Sequence, residues 1–232
     1  MSEATTSVVA EETRFPLRGE SRPAYFARPA GAGPFPGLIV IHEIYGLNEN
    51  IRAVAQRFAR RGYATLAVDL FAGRNKAFCT FRIFSQLIAS SLSNATLDEL
   101  KAALVWLSAR DEVNAERVGA VGFCMGGSFA VAWACVDPRL KVIAPFYAMN
   151  PRPLEATRRS CPVVGPYPDP DFTTSAGRKL DRALTSAGVP HDIKIYPGAK
   201  HSFFNDQSQA YDPAASDDAW NRITAFFGER IG

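Results

Sequence analysis

Short apolar runs that alternate with amphipathic helices are the feature that most constrains the fold of this chain. Residues 37–41 (GLIVI) form a continuous apolar run next to prolines and a polar loop, which is typical of a strand covered on both faces. Apolar residues then recur at helical spacing over residues 51–59. Because this alternation continues along the chain, the sequence predicts an α/β fold with a mostly parallel central sheet flanked by helices on both faces.

A hairpin is predicted ahead of the alternating part, because turn-forming residues 18–20 separate two short strands. The predicted strands are residues 13–17, 24–28, 37–41, 65–68, 118–122, 142–146, 163–165 and 192–196. The predicted helices are residues 51–59, 97–109, 126–135, 175–187 and 212–229. We expect residues 1–12 to be a flexible tail and residues 13–232 to form one domain, with its ligand beyond the carboxyl ends of the strands.

The charge and the cysteine content of the chain limit the kinds of partner and ligand that we expect. The chain of 232 residues carries 26 basic and 23 acidic residues without a basic cluster, which argues against nucleic-acid binding. No run approaches the ~20 apolar residues of a membrane span. The four cysteines fit neither a disulfide framework nor a zinc site. We therefore expect a cytoplasmic protein without metal, cofactor, nucleic-acid or membrane partner, either a monomer or a weak homodimer.

The motif G-x-C-x-G, formed by Gly122, Cys124 and Gly126, lies between a predicted strand and a predicted helix. A nucleophile in a strained turn needs flanking residues without side chains, so that strand and helix approach closely. Amides at the start of the helix favour negative charge, and we expect them to lower the thiol pKa. The alternative is an inert core cysteine, which is our interpretation of Cys135 and Cys161.

A nucleophilic thiol needs a base and an acid that orients the base. Of the three histidines, His201 follows a predicted strand at the catalytic edge, whereas His191 precedes that strand and His42 fits a packing role. The acid is expected in the loop PYPDPDFTT, where Asp169 and Asp171 are the candidates and Asp171 is preferred, because it lies deeper in the loop. Either aspartate has an alternative role as a helix cap. We expect sulfur, imidazole and carboxylate to be hydrogen-bonded in series.

Glu43 directly follows the buried strand at residues 37–41. A carboxylate there is costly unless paired, and we expect it close to Cys124, where it accepts the thiol proton or keeps the thiol neutral until substrate enters. The alternative is a surface carboxylate at a strand end. The backbone amides of Ile44 and Met125 are then the expected oxyanion hole.

Three segments together resemble the dienelactone hydrolase family, whose fold is the α/β-hydrolase fold: HEIYGLN at 42–48, GFCMGG at 122–127 and YPGAKHSF at 196–203. The resemblance extends from about residue 15 to the end of the chain. It implies Cys124 as nucleophile, Asp171 and His201 as its triad partners, and Glu43 as the carboxylate that gates the thiol. It also implies hydrolysis of unsaturated lactones such as carboxymethylenebutenolide.

Two departures from the family pattern affect the substrate and the acid. Family members specialised for dienelactone carry an arginine shortly after the histidine, whereas this chain has Asn205. Arg82 is a candidate replacement, with a surface arginine as the alternative. Prolines at 166, 168 and 170 predict an early end of the preceding strand, which would favour Asp169 as the acid.

Aromatic residues suggest an apolar pocket over the thiol. They are Tyr45, Phe71, Phe78, Phe81 and Phe84, and most of them lie in the long connection between residues 68 and 97. That connection is either a lid or a short helix packed on the core. The expected substrate-binding residues are Tyr45, Phe81, Arg82 and Phe203.

The sequence therefore predicts a cysteine-dependent hydrolase of an ester or lactone that acts through an acyl-enzyme. The same triad would serve a thioesterase or an acyltransferase. A hydrolase-shaped binding protein without turnover would also carry these motifs. A redox-sensing thiol protein is the last candidate class, although no resolving cysteine lies near Cys124 in the sequence.

Overall fold

The computed structural model describes residues 7–232 and contains one eight-stranded sheet in that range. The strands are β1 (Val8–Leu17), β2 (Glu20–Pro29), β3 (Phe35–Ile41), β4 (Ala64–Val68), β5 (Val113–Phe123), β6 (Val142–Phe146), β7 (Val163–Asp169) and β8 (His191–Pro197). The helices are α1 (Glu49–Arg60), α2 (Lys76–Ala89), α3 (Ala95–Ser108), α4 (Met125–Ala134), α5 (Thr174–Ala187) and α6 (Pro213–Ile231), with a short 3₁₀ helix at Leu154–Arg159.

The strand order is β1-β2-β4-β3-β5-β6-β7-β8. The β1–β2 and β2–β4 pairs are antiparallel, and the remaining neighbours are parallel. Separate hydrophobic cores cover the two faces of the sheet, one formed with α1 and α6 and the other with α2 to α5. The predicted α/β architecture with helices on both faces is therefore confirmed.

The N-terminal hairpin is longer than predicted. Its register pairs Thr13 with Ala24, as the predicted strands require, and Arg18 and Gly19 turn the chain with positive φ angles of 49° and 81°. The expectation of a flexible tail is wrong for residues 8–12, which pair with β2 as part of β1. Ser7 is described as well, and its carbonyl accepts from the Ala30 N–H, whereas residues 1–6 of the expected tail lie outside the described residues.

The predicted early end of β7 is also wrong, since the strand continues through Pro166 and Pro168 to Asp169. The Val163 N–H donates towards β8, to the Pro190 carbonyl, and the Pro166 carbonyl accepts from Tyr147 next to β6. The N–H and C=O groups of successive residues in a strand point alternately to its two neighbouring strands. Residue 163 points to β8 and residue 166 to β6, so the N–H groups that Pro166 and Pro168 lack would have pointed to β6. The ladder from β7 to β8 keeps its donors and runs over the full strand.

Helix α2 occupies the long connection between β4 and α3. Its buried residues are Cys79 and Ile83, whereas its outer face carries the exposed side chains of Phe78, Phe81, Phe84 and Ile88. At one end Lys76 Nζ donates to the Tyr45 carbonyl at 3.1 Å. Beyond the other end Ser91 exchanges hydrogen bonds with the backbone of Arg152. The helix therefore connects the loop after β3 with the loop after β6.

Helix α4 lies unusually close to the carboxyl ends of its neighbouring strands. A Cβ atom at Gly126 would lie 2.7 Å from the His42 carbonyl oxygen, and one at Gly127 would lie 2.7 Å from the Phe146 carbonyl oxygen. A Cβ atom at Gly122 would lie 2.7 Å from the Gly127 nitrogen. All of these partners are main-chain atoms, which cannot move without the strand or helix to which they belong.

No helix among the described residues is both long enough and apolar enough to cross a membrane.

We predict that Gly126→Ala lowers the free energy of unfolding by at least ~2 kcal/mol, because the added methyl group must push α4 away from β3. The matched control is Gly228→Ala in α6, where a Cβ meets nothing within 4 Å. Alanine there is expected to raise stability by ~0.5–1 kcal/mol through its helix propensity. Urea unfolding curves measure both changes, and unchanged stability of Gly126→Ala would contradict the close approach.

Candidate active site

Cys124 forms the sharp turn between β5 and α4. Its φ of 54° and ψ of −112° are rare for a residue with a side chain and cost on the order of 1–3 kcal/mol. Its N–H donates to the Phe146 carbonyl at 3.1 Å, which ties the turn to β6. The half-buried side chain lies where the two hydrophobic cores meet. The local structure is thus the strand, strained turn and helix that the motif predicts.

Asp171 and His201 meet beyond the ends of β7 and β8. The imidazole Nδ1 lies 3.1 Å from Asp171 Oδ2 and 3.2 Å from Oδ1. Oδ1 also accepts hydrogen bonds from the backbone N–H and the hydroxyl of Thr173, which fix the carboxylate. Because Nδ1 donates to a carboxylate, the tautomer that this contact favours leaves Nε2 as a proton acceptor.

Asp169, the other candidate acid, points to a different partner. Its carboxylate pairs with Arg178 of α5 at 2.9 Å in a partly exposed position. Asp169 is the last residue of β7, so the chain turns towards the loop after β8 only over the next two residues, 170 and 171. The structure therefore brings Asp171, and not Asp169, to His201.

The second link of the expected hydrogen-bond series is missing. His201 Nε2 is buried and has no hydrogen-bond partner among residues 7–232. The predicted bond between the imidazole and the Cys124 sulfur is therefore wrong for this state of the molecule. The contact between the predicted acid and the predicted base is present, whereas the contact between the predicted base and the thiol is absent.

The expectation of a lowered thiol pKa is also wrong. Burial, followed by the charge of Glu43, raises the pKa of Cys124 to about 12, and the charge of Asp171 adds to the rise. The Met125 N–H at the start of α4 opposes this shift but does not outweigh it. The thiol is consequently neutral around neutral pH.

Glu43 is buried, with only 4% of its surface exposed, so the alternative of a surface carboxylate is wrong. The hydroxyl of Tyr147 donates to its Oε1 at 2.8 Å. Burial raises the pKa of Glu43, while hydrogen bonds from Tyr147, Ser202 and Asn205 and the charge of His201 act in the opposite direction. The carboxyl group therefore accepts a proton more readily than an exposed glutamate.

The other two histidines lie where the topology predicts. His42 is fully buried, and its Nε2 accepts from the Leu70 N–H at 3.1 Å. Burial lowers its pKa, so it is a neutral residue that joins the ends of β3 and β4. His191 is the first residue of β8, at the opposite edge of the sheet, and lies 3.3 Å from Asp181.

The predicted oxyanion-hole residues belong to two separate segments of the chain. Ile44 belongs to the turn that follows β3. Met125 is buried and is the first residue of α4. Both residues therefore lie just beyond a strand end at the catalytic edge of the sheet.

The predicted substrate-binding residues separate into different environments. Phe203 is completely buried and packs against Tyr147 and Tyr196, so this prediction is wrong. Its side chain belongs to the core because the turn at 201–204 directs it inward. Tyr45 is exposed in the loop after β3, and Phe81 is 74% exposed on the outer face of α2.

Arg82 of α2 is partly buried, and its charge acts on the buried Glu99 of α3. Glu99 already accepts two hydrogen bonds from Arg22, at 2.7 and 2.9 Å. No carboxylate within the described residues forms an ion pair with Arg82. Phe71 is buried against His42, so the predicted aromatic group does not form a single pocket.

Two residues at the site were missed by the sequence reasoning. The ring of Tyr147 lies 4.8 Å from the His201 ring, and the ring of Phe172 stacks on His201 at 4.7 Å with an interplanar angle of 26°. Tyr147 directly follows β6, and Phe172 directly follows the acid. The rule that ligands bind beyond strand ends would have identified both.

The described part of the chain contains no group of three or more His, Cys, Asp or Glu side chains arranged to hold a metal ion.

Comparison with known proteins identifies the family. The model of the dienelactone hydrolase family matches residues 23–231. A Methylorubrum extorquens protein named "Putative carboxymethylenebutenolidase" is 30% identical over 236 residues, covering 95% of this chain and 81% of that protein. An Escherichia coli (strain K12) protein of the same name is 31% identical over 242 residues, covering 97% of this chain and 89% of that protein.

The fold agrees with this result. The crystal structure of a protein from Klebsiella pneumoniae described as "Putative Dienelactone Hydrolase" superimposes with a TM-score of 0.84 and 29% identity, covering 96% of this chain and 99% of that one. The expected resemblance is confirmed by sequence and by structure. The chain belongs to the dienelactone hydrolase family and is a carboxylic ester hydrolase.

Proposed function

We propose that the chain hydrolyses its ester or lactone through a covalent acyl intermediate on Cys124. The observation that supports this most directly is the Asp171–His201 pair, whose buried Nε2 has no partner within residues 7–232 and is free to accept a proton. The strained backbone at Cys124 presents the thiol at the same edge of the sheet. Nucleophile, base and orienting acid are the groups that such a mechanism requires.

In the first half-reaction, the sulfur of Cys124 attacks the substrate carbonyl carbon and the thiol proton moves to His201 Nε2. The bond from carbon to the leaving oxygen then breaks, and His201 returns the proton to that oxygen. In the second half-reaction, His201 takes a proton from water, the hydroxide attacks the thioester, and the thiol is restored with release of the acid. Asp171 keeps Nδ1 protonated throughout and stabilises the charged imidazole.

The carbonyl oxygen becomes negative during each attack. The backbone N–H groups of Ile44 and Met125 are the proposed donors to it, and one such donor commonly contributes ~3 kcal/mol. The same Met125 N–H already favours the anionic form of the Cys124 sulfur. The start of α4 thus supplies positive potential on the side where charge develops.

Glu43 keeps the thiol neutral until substrate is bound. Its charge raises the pKa of Cys124, and its hydrogen bond from Tyr147 holds it in place. If substrate displaces the carboxylate from the thiol, this contribution to the pKa disappears and the thiol becomes a stronger nucleophile. Because burial raises its own pKa, Glu43 can take a proton at low energetic cost.

We predict that Cys124→Ala abolishes hydrolysis of a dienelactone and of short p-nitrophenyl esters, since no other group can form the acyl intermediate. Mass spectrometry of the quenched parent enzyme is expected to show one added acyl group, absent from the variant. Cys135→Ala, at a buried cysteine of the same chain, is the control and should keep the adduct. A Cys124→Ala variant as active as the parent would refute the mechanism.

We predict that Asp171→Asn lowers kcat by roughly 10²–10⁴-fold, the range by which positioned acid–base groups contribute. The amide cannot hold Nδ1–H and stabilise the imidazolium as a carboxylate does. Asp169→Asn is the matched control, because Asp169 contacts Arg178 instead of the imidazole. Steady-state kinetics on one ester compare the two variants, and equal losses in both would overturn the assignment of the acid.

We predict that Glu43→Gln increases the rate of iodoacetamide alkylation of Cys124 at a given pH. Removal of the negative charge lowers the thiol pKa, and each unit of pKa changes the thiolate fraction about tenfold at neutral pH. Parent alkylation should rise steadily from neutral pH to about pH 10, because the thiol pKa lies above that range. Glu43→Asp keeps the charge and serves as control. Slower alkylation of Glu43→Gln would instead identify Glu43 as the base that accepts the thiol proton.

A further inference from the structure

Exposed apolar side chains are concentrated near the carboxyl edge of the sheet. Ile44 and Tyr45 follow β3, Met149 follows β6, Phe172 follows β7, and the outer face of α2 belongs to the connection after β4. In the part of the chain that the structure describes, the other large exposed apolar residues are Val9, Val105 and Tyr211. Exposing large apolar surface is unfavourable, so such a concentration indicates a surface that is covered during function.

Phe172 is the member of this group that contacts the proposed machinery. Its ring stacks on the His201 imidazole, and 67% of the residue is nevertheless exposed. Its neighbours fix its backbone, because the Asp171 N–H donates to the Thr174 hydroxyl and the Thr173 N–H donates to the Asp171 carboxylate. Phe172 therefore presents an open aromatic surface directly beside the imidazole.

Met149, in the loop after β6, is linked to the backbone of Cys124 through Ser128. Its N–H donates to the Ser128 hydroxyl at 2.9 Å, and that hydroxyl donates to the Cys124 carbonyl at 3.0 Å. Its side chain is 43% exposed. The backbone of a second exposed apolar residue is thus held at the first turn of α4.

The chemistry of the reaction decides which part of the substrate lies next to Phe172. His201 protonates the leaving oxygen in the proposed mechanism, so the alcohol portion of the ester must lie at the imidazole. A negative charge on that portion is disfavoured, because Glu43 and Asp171 already place two carboxyl groups there. The buried Asn205, which hydrogen-bonds Glu43, is neutral and offers such a charge no counter-ion.

We propose that Phe172, together with Met149, forms an apolar platform for the leaving group, and that uncharged esters of apolar aryl or bulky alkyl alcohols are preferred over substrates with a charged leaving group. This inference rests on the proposed function, because it places the leaving group by the proton that His201 donates. Phe172 acts as a specificity-determining residue that touches the substrate. It also contacts His201, so a purely structural role must be separated from it by experiment.

The test compares kcat/KM for benzyl acetate and 2-methoxyethyl acetate, whose leaving alcohols differ in polarity more than in acidity. Phe172→Ala is expected to lower kcat/KM for benzyl acetate about tenfold, the size of effect that lost aromatic and apolar contacts produce, and to change the polar ester little. Phe172→Tyr keeps the ring and should keep the preference. Val105→Ala, at an exposed apolar residue of α3, should behave like the parent.

Equal losses for both esters in Phe172→Ala would mean that Phe172 only positions His201, and would overturn the inference. An unchanged ratio would overturn it as well, while leaving the acyl mechanism intact. Methyl phenylacetate and methyl acetate differ only in the acid portion of the ester. If Phe172→Ala lost a preference between these two esters and kept the preference for benzyl acetate, the leaving-group assignment would be overturned. If the parent hydrolyses none of these esters and forms no adduct at Cys124, the proposed function fails and this inference fails with it.

Discussion

The close approach of α4 to the ends of β3, β5 and β6 is the constraint on which the site depends. Glycine at 122, 126 and 127 allows main-chain atoms to meet at distances that any side chain would prevent. The helix then starts directly above the sheet, and the residue at the turn is forced into the left-handed region. Cys124 carries this conformational cost, and the surrounding main chain holds it there.

Burial disfavours the charged form of the Cys124 thiol, so the site does not hold an activated thiolate. Burial and the charges of two carboxyl groups, Glu43 and Asp171, raise the pKa of the thiol to about 12. A neutral buried thiol reacts slowly with alkylating agents and oxidants. Under the proposed mechanism, such an arrangement protects Cys124 in the resting protein and makes its reactivity depend on what enters the site.

The fold was largely predictable because its signals are local. Apolar runs such as residues 37–41 and the glycines around Cys124 each determine a strand or a turn by themselves. The placement of Asp171 and His201 followed from the rule that parallel strands end at one edge. The direction of the thiol pKa shift could not be predicted from the sequence. It depends on how deeply Cys124 is buried and how close Glu43 lies, and the spacing of residues along the chain shows neither. Phe203 was predicted at the substrate site but is buried. Its direction depends on the turn at Ser202, whose positive φ cannot be read from the sequence.

The prolines of β7 have a consequence for how the two halves of the site move. Asp171 and His201 are carried by β7 and β8, which pair along their full length, whereas Cys124 belongs to the part of the sheet that ends at β6. The ladder between β6 and β7 registers one pair, Ile143 with Val163, and Pro166 and Pro168 lack the donors that would extend it. We expect motion at this boundary to change the gap between the imidazole and the sulfur more than the contact between the carboxylate and the imidazole. We infer that the proposed proton transfer between Cys124 and His201 spans the junction of the parallel sheet that has the fewest registered pairs.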